Sequence, residues 1–417
     1  MSELVERATR ADADVAAPRT PARQPAGTTT AAARTAGLRL ALVGPLPPPA
    51  GGMANQTVQL ARLLSAEGVA VEIVQVNRPY VPAWAGRLRG VRALFRLVPY
   101  LVALWRACGR CDVVHVMANS GWSWHLFAAP AVRIAAWRGR PVVVNYRGGE
   151  AATFLARAAG AVRSTLRSAQ ALVVPSGFLQ HVFAGHGVQT RIVPNIVDTE
   201  RFAPARPAAA AAPVAAAAAA AGAGAVDPIG PRLVVTRNLE PIYDIATALR
   251  AFARILERQP RATLAIAGTG PERAALEALA HELGVADRVR FTGRLAPNEV
   301  AALCAAADVM LNPARVDNMP NSVLEALAAG VPVVSTNVGG VPFIVAHGET
   351  ALLVPPGDAE AMASAALAVL DDAALRERLR RNGRAAVEQY TWPRVGPQWL
   401  ALYAELRGES RGARTPA

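Results

Sequence analysis

Residues 315–340 read "RVDNMPNSVLEALAAGVPVVSTNVGG". Two acids, Asp317 and Glu325, stand eight positions apart, with Pro320, Asn321 and Ser322 among the seven residues between them. Pro320 is preset for the first helical position, so a helix begins there, and Gly330 closes it within about three turns. The apolar run "VPVVST" that follows, bounded by glycines, has the length and β-branching of a buried strand, so the stretch is one helix-to-strand step of a parallel sheet. The free N–H groups of Asn321, Ser322 and Val323 form an electropositive helix end suited to a phosphate. Asp317 precedes the helix and Glu325 lies about one and a half turns along it. A carboxylate accepts two hydroxyl hydrogen bonds at once, so each acid suits a polyol. A loop acid and an acid that offsets the helix dipole are equally compatible with these two positions.

Working outward, the same alternation of short apolar runs and helical stretches fills both halves of the chain, the sign of βα units. Behind and ahead of the quoted stretch come "RLVVTRN", "RATLAIAG", "RVRFTG", "DVMLNP" and "TALLVPP", with helices such as "PERAALEALAHELG" between them. From Gly37 the first half gives "LRLALVG", "VAVEIVQV", "CDVVHVM", "RPVVVNY", "AQALVVPS" and "TRIVPN". The expected organisation is a disordered tail over 1–36, a Rossmann-like domain over 37–200, an Ala/Pro-rich linker over 201–230 and a second Rossmann-like domain over 231–390. Residues 391–417 complete it, with "TWPRVGPQWLALYAELRG" as a helix returning to the first domain, then a tail. The fold class is α/β, two doubly wound domains facing a central cleft, and ligands bind in such a cleft outside the carboxyl ends of the strands.

The 417 residues carry 44 Lys+Arg against 31 Asp+Glu, yet lysine is absent, so every fixed positive side chain is arginine. This excludes Schiff-base chemistry, lysine-bound pyridoxal phosphate and a Walker P-loop. A GC-rich coding sequence would raise alanine and arginine together. The excess is localised, however: between Ile73 and Val197 there are 15 Arg against only Asp112 and Glu150. An electropositive first half suits acidic partners such as a nucleotide, a phosphorylated lipid or an anionic bilayer. No helix-turn-helix or aromatic strand motif accompanies the charge, so nucleic acid is not an expected partner. Cys108 and Cys111 form "CGRC" without a second pair or clustered histidines, which argues against zinc, and the cysteine usage fits a reducing cytoplasm. Residues 1–36 lack the apolar centre of a signal peptide, and "LVPYLVALW" is too short for a membrane span.

Two further loops reach the cleft. "GPLPPPAGGMANQT" places Gly51 and Gly52 between a strand and a helix, where backbone N–H groups can approach an anion. "AGTGPER", with Gly268, follows a strand and opens a helix, but it lacks the third glycine of a dinucleotide fingerprint, so no nicotinamide cofactor is expected.

With these segments in place, the chain resembles the retaining glycosyltransferases of family 4, which have the GT-B fold. The resemblance rests on "DNMPNSVLEALAAGVPVVSTNVGGVPFIV", "VPNIVDTERF", "AGTGPERAALE" and "VRFTGRLAPNEVAAL" and spans nearly all of 37–390. It implies a nucleotide-diphosphate sugar, UDP- or GDP-linked, as substrate, with no cofactor and no metal. Asp317 would contact the transferred sugar and Glu325 the ribose; the amides of Asn318 and Met319 would face the sugar, and those of Asn321, Ser322 and Val323 the diphosphate. Gly51, Gly52, Gly268 and Arg294 complete the implied donor set. Two residues depart from the family pattern. After the first strand of the second domain the family presents an arginine and a lysine; here "TRNLEPIYDI" keeps Arg237 but has Tyr243 near the lysine's place. The family's histidine after the "VVV" strand is replaced in "NYRGGE" by Arg147, which cannot act as a base but can supply the missing positive charge. The resemblance therefore implies catalysis by positioning and charge stabilisation through Asp317, Glu325, Arg237 and Arg147.

The acceptor is expected from the first domain. In "WAGRLRGVRALFRLVPYLVALWRACGR" (84–110), Leu88, Val91, Phe95, Val98, Val102 and Trp105 fall on one helical stripe, with Pro99 breaking or kinking it. That stripe suits either a bilayer surface or burial against the domain's own sheet. Trp122 and Trp124 of "NSGWSWHLF" could stack on a sugar, and His115 is a third acceptor candidate beside its alternative as a packed strand histidine. The expected function is sugar transfer to a glycan or lipid-linked acceptor in cell-surface polysaccharide or glycolipid synthesis, cytoplasmic or peripheral on the inner face of the membrane. A non-catalytic nucleotide-sugar-binding scaffold and a GT-B UDP-sugar epimerase remain as alternatives.

Overall fold

The computed structural model describes residues 37–48, 51–80, 84, 92–204 and 230–412. The expected tail over 1–36, most of the Ala/Pro-rich segment, and Leu88 and Val91 lie outside them. The first sheet holds β1 (Arg39–Gly44), β2 (Ala70–Gln75), β3 (Val113–Ala118), β4 (Val142–Tyr146), β5 (Ala171–Val174) and β6 (Arg191–Ile192) in the order β2-β1-β3-β4-β5-β6. The second holds β7 (Arg232–Val235), β8 (Thr263–Ala267), β9 (Val289–Gly293), β10 (Val309–Asn312), β11 (Val333–Thr336) and β12 (Leu352–Val354) in the order β12-β11-β10-β7-β8-β9. Neighbouring strands run parallel throughout, and each of the twelve falls on an apolar run of the sequence. These runs are nearly continuous rather than alternating because helices cover both faces of each sheet.

The helices of the first domain are α1 (Gly52–Ala66), α2 (Arg92–Arg110), α3 (Ala129–Trp137), α4 (Ala151–Leu166) and α5 (Gly177–Ala184). The second has α6 (Ile245–Arg258), α7 (Arg273–Glu282), α8 (Pro297–Ala305), α9 (Asn321–Ala328), α10 (Ala359–Asp371) and α11 (Ala373–Val387). The last helix, α12 (Trp392–Gly412), crosses back. Its Val395, Trp399, Leu402, Tyr403 and Leu406 share one core with Leu40, Leu42, Val113 and Val143 of the first sheet. The indole of Trp392 donates to Glu67 Oε1 at 2.9 Å, tying its start to the end of α1.

Strand order reverses between β1 and β3 in one sheet and between β10 and β7 in the other. Loops on either side of such a reversal diverge and leave a crevice at the strand ends. Three of the loops singled out in the sequence, those after β1, β7 and β10, leave these reversal points.

Helix α2 runs unbroken through Pro99. It buries Tyr100, Leu104, Ala107 and Cys108, a face adjacent to the apolar stripe seen in the sequence. The stripe itself stays in solvent: Val98 is 55% exposed, Val102 44% and Trp105 37%. The helix thus has two apolar faces, and periodicity could not say which one the sheet takes.

Candidate active site

The cleft between the two sheets is about 1420 Å³ and is lined from both domains. At its centre is the opening stretch of sequence. Helix α9 starts at Asn321, one residue later than the sequence implies, because Pro320 is extended (ψ 113) and acts as the capping residue. The Pro320 carbonyl accepts the first helical bond, from Leu324 N–H at 3.3 Å. The first-turn N–H groups of Asn321, Ser322 and Val323 are left without helical partners, and Gly330 ends the helix in the left-handed region at φ +71. Asn321 and Ser322 line the cleft, whereas the Val323 side chain is buried in the core, so that residue can offer only its amide.

The loop before α9 is held from below by Gly339 and Gly340. A Cβ at Gly340 would lie 1.6 Å from the Asn318 carbonyl oxygen, and one at Gly339, where φ is +52, would lie 2.1 Å from that of Asp317. The Gly-Gly turn after β11 therefore lets Gly340 N–H donate to the Asp317 carbonyl at 2.8 Å.

Asp317 is only 8% exposed and forms an ion pair with the Arg237 guanidinium. Burial raises its carboxyl above the ordinary aspartate value, while Arg237 and the N–H groups of Asn318 and Met319 act to lower it. Asn318 and Met319 both line the cleft. Met319 is buried, its sulfur and carbonyl taken by Asn195. Arg237 also donates to Ser322 Oγ at 3.3 Å and lies 4.0 Å over the ring of Tyr243. The residue in the lysine's place therefore supplies no charge but holds the remaining arginine by its π face.

The Glu325 carboxylate lines the cleft without a hydrogen bond or ion pair among the described residues. Burial pushes its carboxyl up to about 7, against the opposing pull of Arg237 and Arg201. Gly51 and Gly52 face this helix end across the cleft, with the Cβ position of Gly52 3.5 Å from Asn321 Nδ2. Gly268 and Arg294 line the same wall. The second domain reaches the first through Asn318, whose Nδ2 donates to the Gly148 carbonyl.

Arg147 also lines the cleft. Its Nε donates to Asn145 Oδ1 at 3.2 Å and its Nη1 to Asn195 Oδ1. Burial lowers its pKa to about 10, so it remains a cation at neutral pH, and it forms no salt bridge among the described residues. Two acceptor candidates are overturned. Trp124 and His115 are 0% exposed: Trp124 packs with Tyr146 and Phe154, and His115 lies inside the sheet beneath α12. Only Trp122, 78% exposed, stands at the cleft rim.

Three residues that sequence reasoning passed over belong to the site. Asn195 donates to the Met319 carbonyl at 3.1 Å and to Asn321 Oδ1 at 2.7 Å while it accepts from Arg147, so it joins the domains at the helix end. Gln56 of α1 exchanges two bonds with the backbone of Ile196, at 2.9 and 3.2 Å. Asn145 positions Arg147 from within β4. Asn195 lies inside "VPNIVDTERF", the signal that could have flagged it. Gln56 lies in "GPLPPPAGGMANQT" and Asn145 in "NYRGGE", where the glycines and Arg147 drew the reading away from them.

The family models complete the description. That for glycosyl transferases group 1 matches residues 229–386, and that for glycosyltransferase family 4 matches 50–201. The chain belongs to the family 4 glycosyltransferases of the GT-B fold. Among proteins of known function it is 34% identical over 235 residues to a GDP-mannose-dependent α-(1-6)-phosphatidylinositol monomannoside mannosyltransferase of Mycobacterium tuberculosis, covering 55% of this chain and 57% of the other. It is 27% identical over 368 residues to a 2-deoxystreptamine glucosyltransferase of Streptomyces kanamyceticus, covering 81% and 90%. The chain spans about half the length of several of the curated relatives it matches, 57%, 47% and 41% for three of them. Among solved structures, a sucrose-phosphate synthase of Thermosynechococcus elongatus aligns over 89% of this chain and 100% of its own, with TM-score 0.70 and 23% identity. The Anabaena protein HepE in complex with UDP-glucose aligns over 90% and 100%, with TM-score 0.65 and 16% identity.

Proposed function

We propose that the protein transfers a sugar from a UDP- or GDP-linked donor to a glycan or lipid-linked acceptor, with retention at the anomeric carbon and without a metal. One observation carries this reading: the open end of α9 lies in the interdomain cleft, which Asp317 and Glu325 both line. The diphosphate is assigned to the amides of Asn321, Ser322 and Val323, the ribose to Glu325 and the sugar to Asp317. The bond from the anomeric carbon to the diphosphate oxygen breaks as the acceptor oxygen bonds to the same face. The acceptor's proton passes to the departing phosphate oxygen, which leaves as a nucleoside diphosphate. Charge developing on that group is met by Arg237, Arg147 and the helix end.

The lipid-linked acceptor is supported by the surface of the first domain. Leu94, Val98, Val102 and Trp105 of α2 are exposed, together with Trp84 and Trp137. Trp105 and Trp137 pair at 4.9 Å, and Arg138 lies 4.5 Å over Trp105. Apolar side chains edged by arginine match an anionic bilayer. Among the described residues no helix is long and apolar enough to cross a membrane, so contact would be superficial. The relative from Mycobacterium tuberculosis is named for a phosphatidylinositol monomannoside.

The test is sugar transfer from UDP- and GDP-sugars to lipid extracts presented in vesicles, with the anomeric configuration of the product read by NMR. A retained linkage, and a rate about tenfold higher on anionic than on neutral vesicles, is the expected result. Tight nucleotide binding with no product on any extract would instead support a non-catalytic sugar-nucleotide binder. An epimerised donor formed without acceptor would support an epimerase.

A further inference from the structure

Arg147 does not stand alone at the cleft wall. It ends a line of buried polar side chains that runs through the first sheet to the C-terminal helix. Arg147 Nε donates to Asn145 Oδ1 at 3.2 Å. Asn145 Nδ2 lies 3.1 Å from His115 Nε2, and His115 Nδ1 lies 2.7 Å from Tyr403 Oη. Asn145 and His115 lie on the adjacent strands β4 and β3, two positions apart in register, and Tyr403 comes from α12. All three are 0% exposed.

A guanidinium can only donate, and that fixes the sense of every bond in the line. The Asn145 oxygen must face Arg147, so its NH2 group must face His115. His115 Nε2 must then accept, which leaves the proton on Nδ1, donated to Tyr403 Oη. An imidazolium would have no lone pair for Asn145. Burial and the charge of Arg147 both hold His115 neutral, with its pKa lowered to about 3. The Trp399 ring, 4.8 Å from the imidazole, closes the other side.

We propose that Asn145, His115 and Tyr403 are positioning residues which aim the Arg147 guanidinium at the donor diphosphate, so that α12, the helix joining the domains, sets the electrostatics of the cleft. Two of the guanidinium's donor groups are committed, Nε to Asn145 and Nη1 to Asn195, and no carboxylate pairs with it among the described residues. Arg237, by contrast, is engaged by Asp317. Of these two, Arg147 is thus the one with no carboxylate partner among the described residues, and its direction is set from behind by Asn145. The inference rests on the diphosphate reading of the cleft given above.

The test combines two readouts on the full chain. In 15N-histidine NMR, with the His115 signals assigned by their loss in His115→Gln, Nδ1 should be protonated and Nε2 bare, unchanged from pH 8 to pH 5. A protonated Nε2, or titration near the ordinary histidine value, overturns the line irrespective of any binding result. Calorimetry with UDP and GDP then measures its effect. Asn145→Ala and His115→Leu should weaken the better ligand roughly 10- to 100-fold, as Arg147→Ala does. His115→Gln, whose amide can accept from Asn145 and donate to Tyr403, should regain most of what His115→Leu loses. Loss with Arg147→Ala but none with Asn145→Ala, in a protein of unchanged melting temperature, overturns the proposal and leaves the diphosphate reading intact. If the parent protein binds neither nucleotide, the diphosphate reading fails, and the aim assigned to Arg147 fails with it. The NMR result then reports only whether the buried line itself exists.

Discussion

Arg237→Leu is expected to lower kcat/KM by about 100- to 1000-fold, the usual effect of removing one donor aimed at a leaving group's charge. Arg237 meets Asp317, Ser322 and the face of Tyr243 together, which places a planar cation at the foot of α9. The substitution also leaves the Asp317 carboxylate buried without its partner, a second penalty that falls on stability. Arg237→Lys should recover little, because an ammonium cannot share its charge among a carboxylate, a hydroxyl and an aromatic face as the guanidinium does. The comparison with Asp317→Asn separates the two roles. That variant keeps the volume and a hydrogen bond but loses the charge, so kcat should fall while nucleotide affinity changes less than threefold. Steady-state kinetics on the three variants, with calorimetry for the nucleoside diphosphate, reads both. Equal and small losses in all three would contradict the roles assigned. The Asp317–Arg237 pair also implies an exchange of partners. Donor binding must draw Arg237 toward the diphosphate and release Asp317 toward the sugar, so part of the binding energy goes into breaking an existing pair.

The second large effect concerns Glu325. Its carboxyl is raised to about 7, and its assigned role, accepting from two ribose hydroxyls, requires the ionised form. Donor affinity should therefore be constant above pH 8 and fall about tenfold per pH unit well below 7, with a proton released on binding in that range. Glu325→Gln should abolish this dependence and weaken binding at pH 8 by about tenfold or more, because an amide offers one acceptor oxygen in place of two. The same substitution should stabilise the empty protein. A carboxyl whose folded value is about 7 against an ordinary 4.5 holds an extra proton in the folded state between those limits. Its contribution to stability therefore declines as pH rises through that window and stays low above it. At pH 8, Glu325→Gln should gain on the order of 2 kcal/mol over the parent, and at pH 4 nothing. Denaturant melts at the two pH values measure the difference. A variant less stable than its parent at pH 8 would mean that Glu325 is held by a partner in the empty protein.

The fold was legible because its signals are redundant. Most strands are near-continuous apolar runs, the loop after β1 carries a glycine pair, and "VLEALAAGVPVVST" encodes helix, stop and strand in one line. The site was legible as far as its residues follow those loops, which is why Asp317, Glu325, Arg237, Arg147 and the two glycines at 51 and 52 all reach one cleft. What escaped depends on side-chain direction. Trp122 and Trp124 are two residues apart, yet the segment enters a turn of π-helix at Trp124, which sends that ring into the core and leaves its neighbour in solvent. His115 sits on a strand covered on both faces, so strand alternation offered no outward side for it to occupy. Asn195 and Asn145 act through bonds to residues 126 and 2 positions away respectively, and neither spacing is a motif. The start of α9 was off by one because a proline can cap a helix as well as begin it; only its ψ distinguishes the two.

A crystal structure with UDP or GDP, whichever binds more tightly, tests the placement of the donor most directly. The diphosphate should accept hydrogen bonds from the N–H groups of at least two of Asn321, Ser322 and Val323, with Glu325 on the ribose and Arg237 turned from Asp317 toward the phosphates. A nucleotide bound elsewhere, with the Asp317 to Arg237 pair undisturbed and the end of α9 filled only by water, would contradict the account.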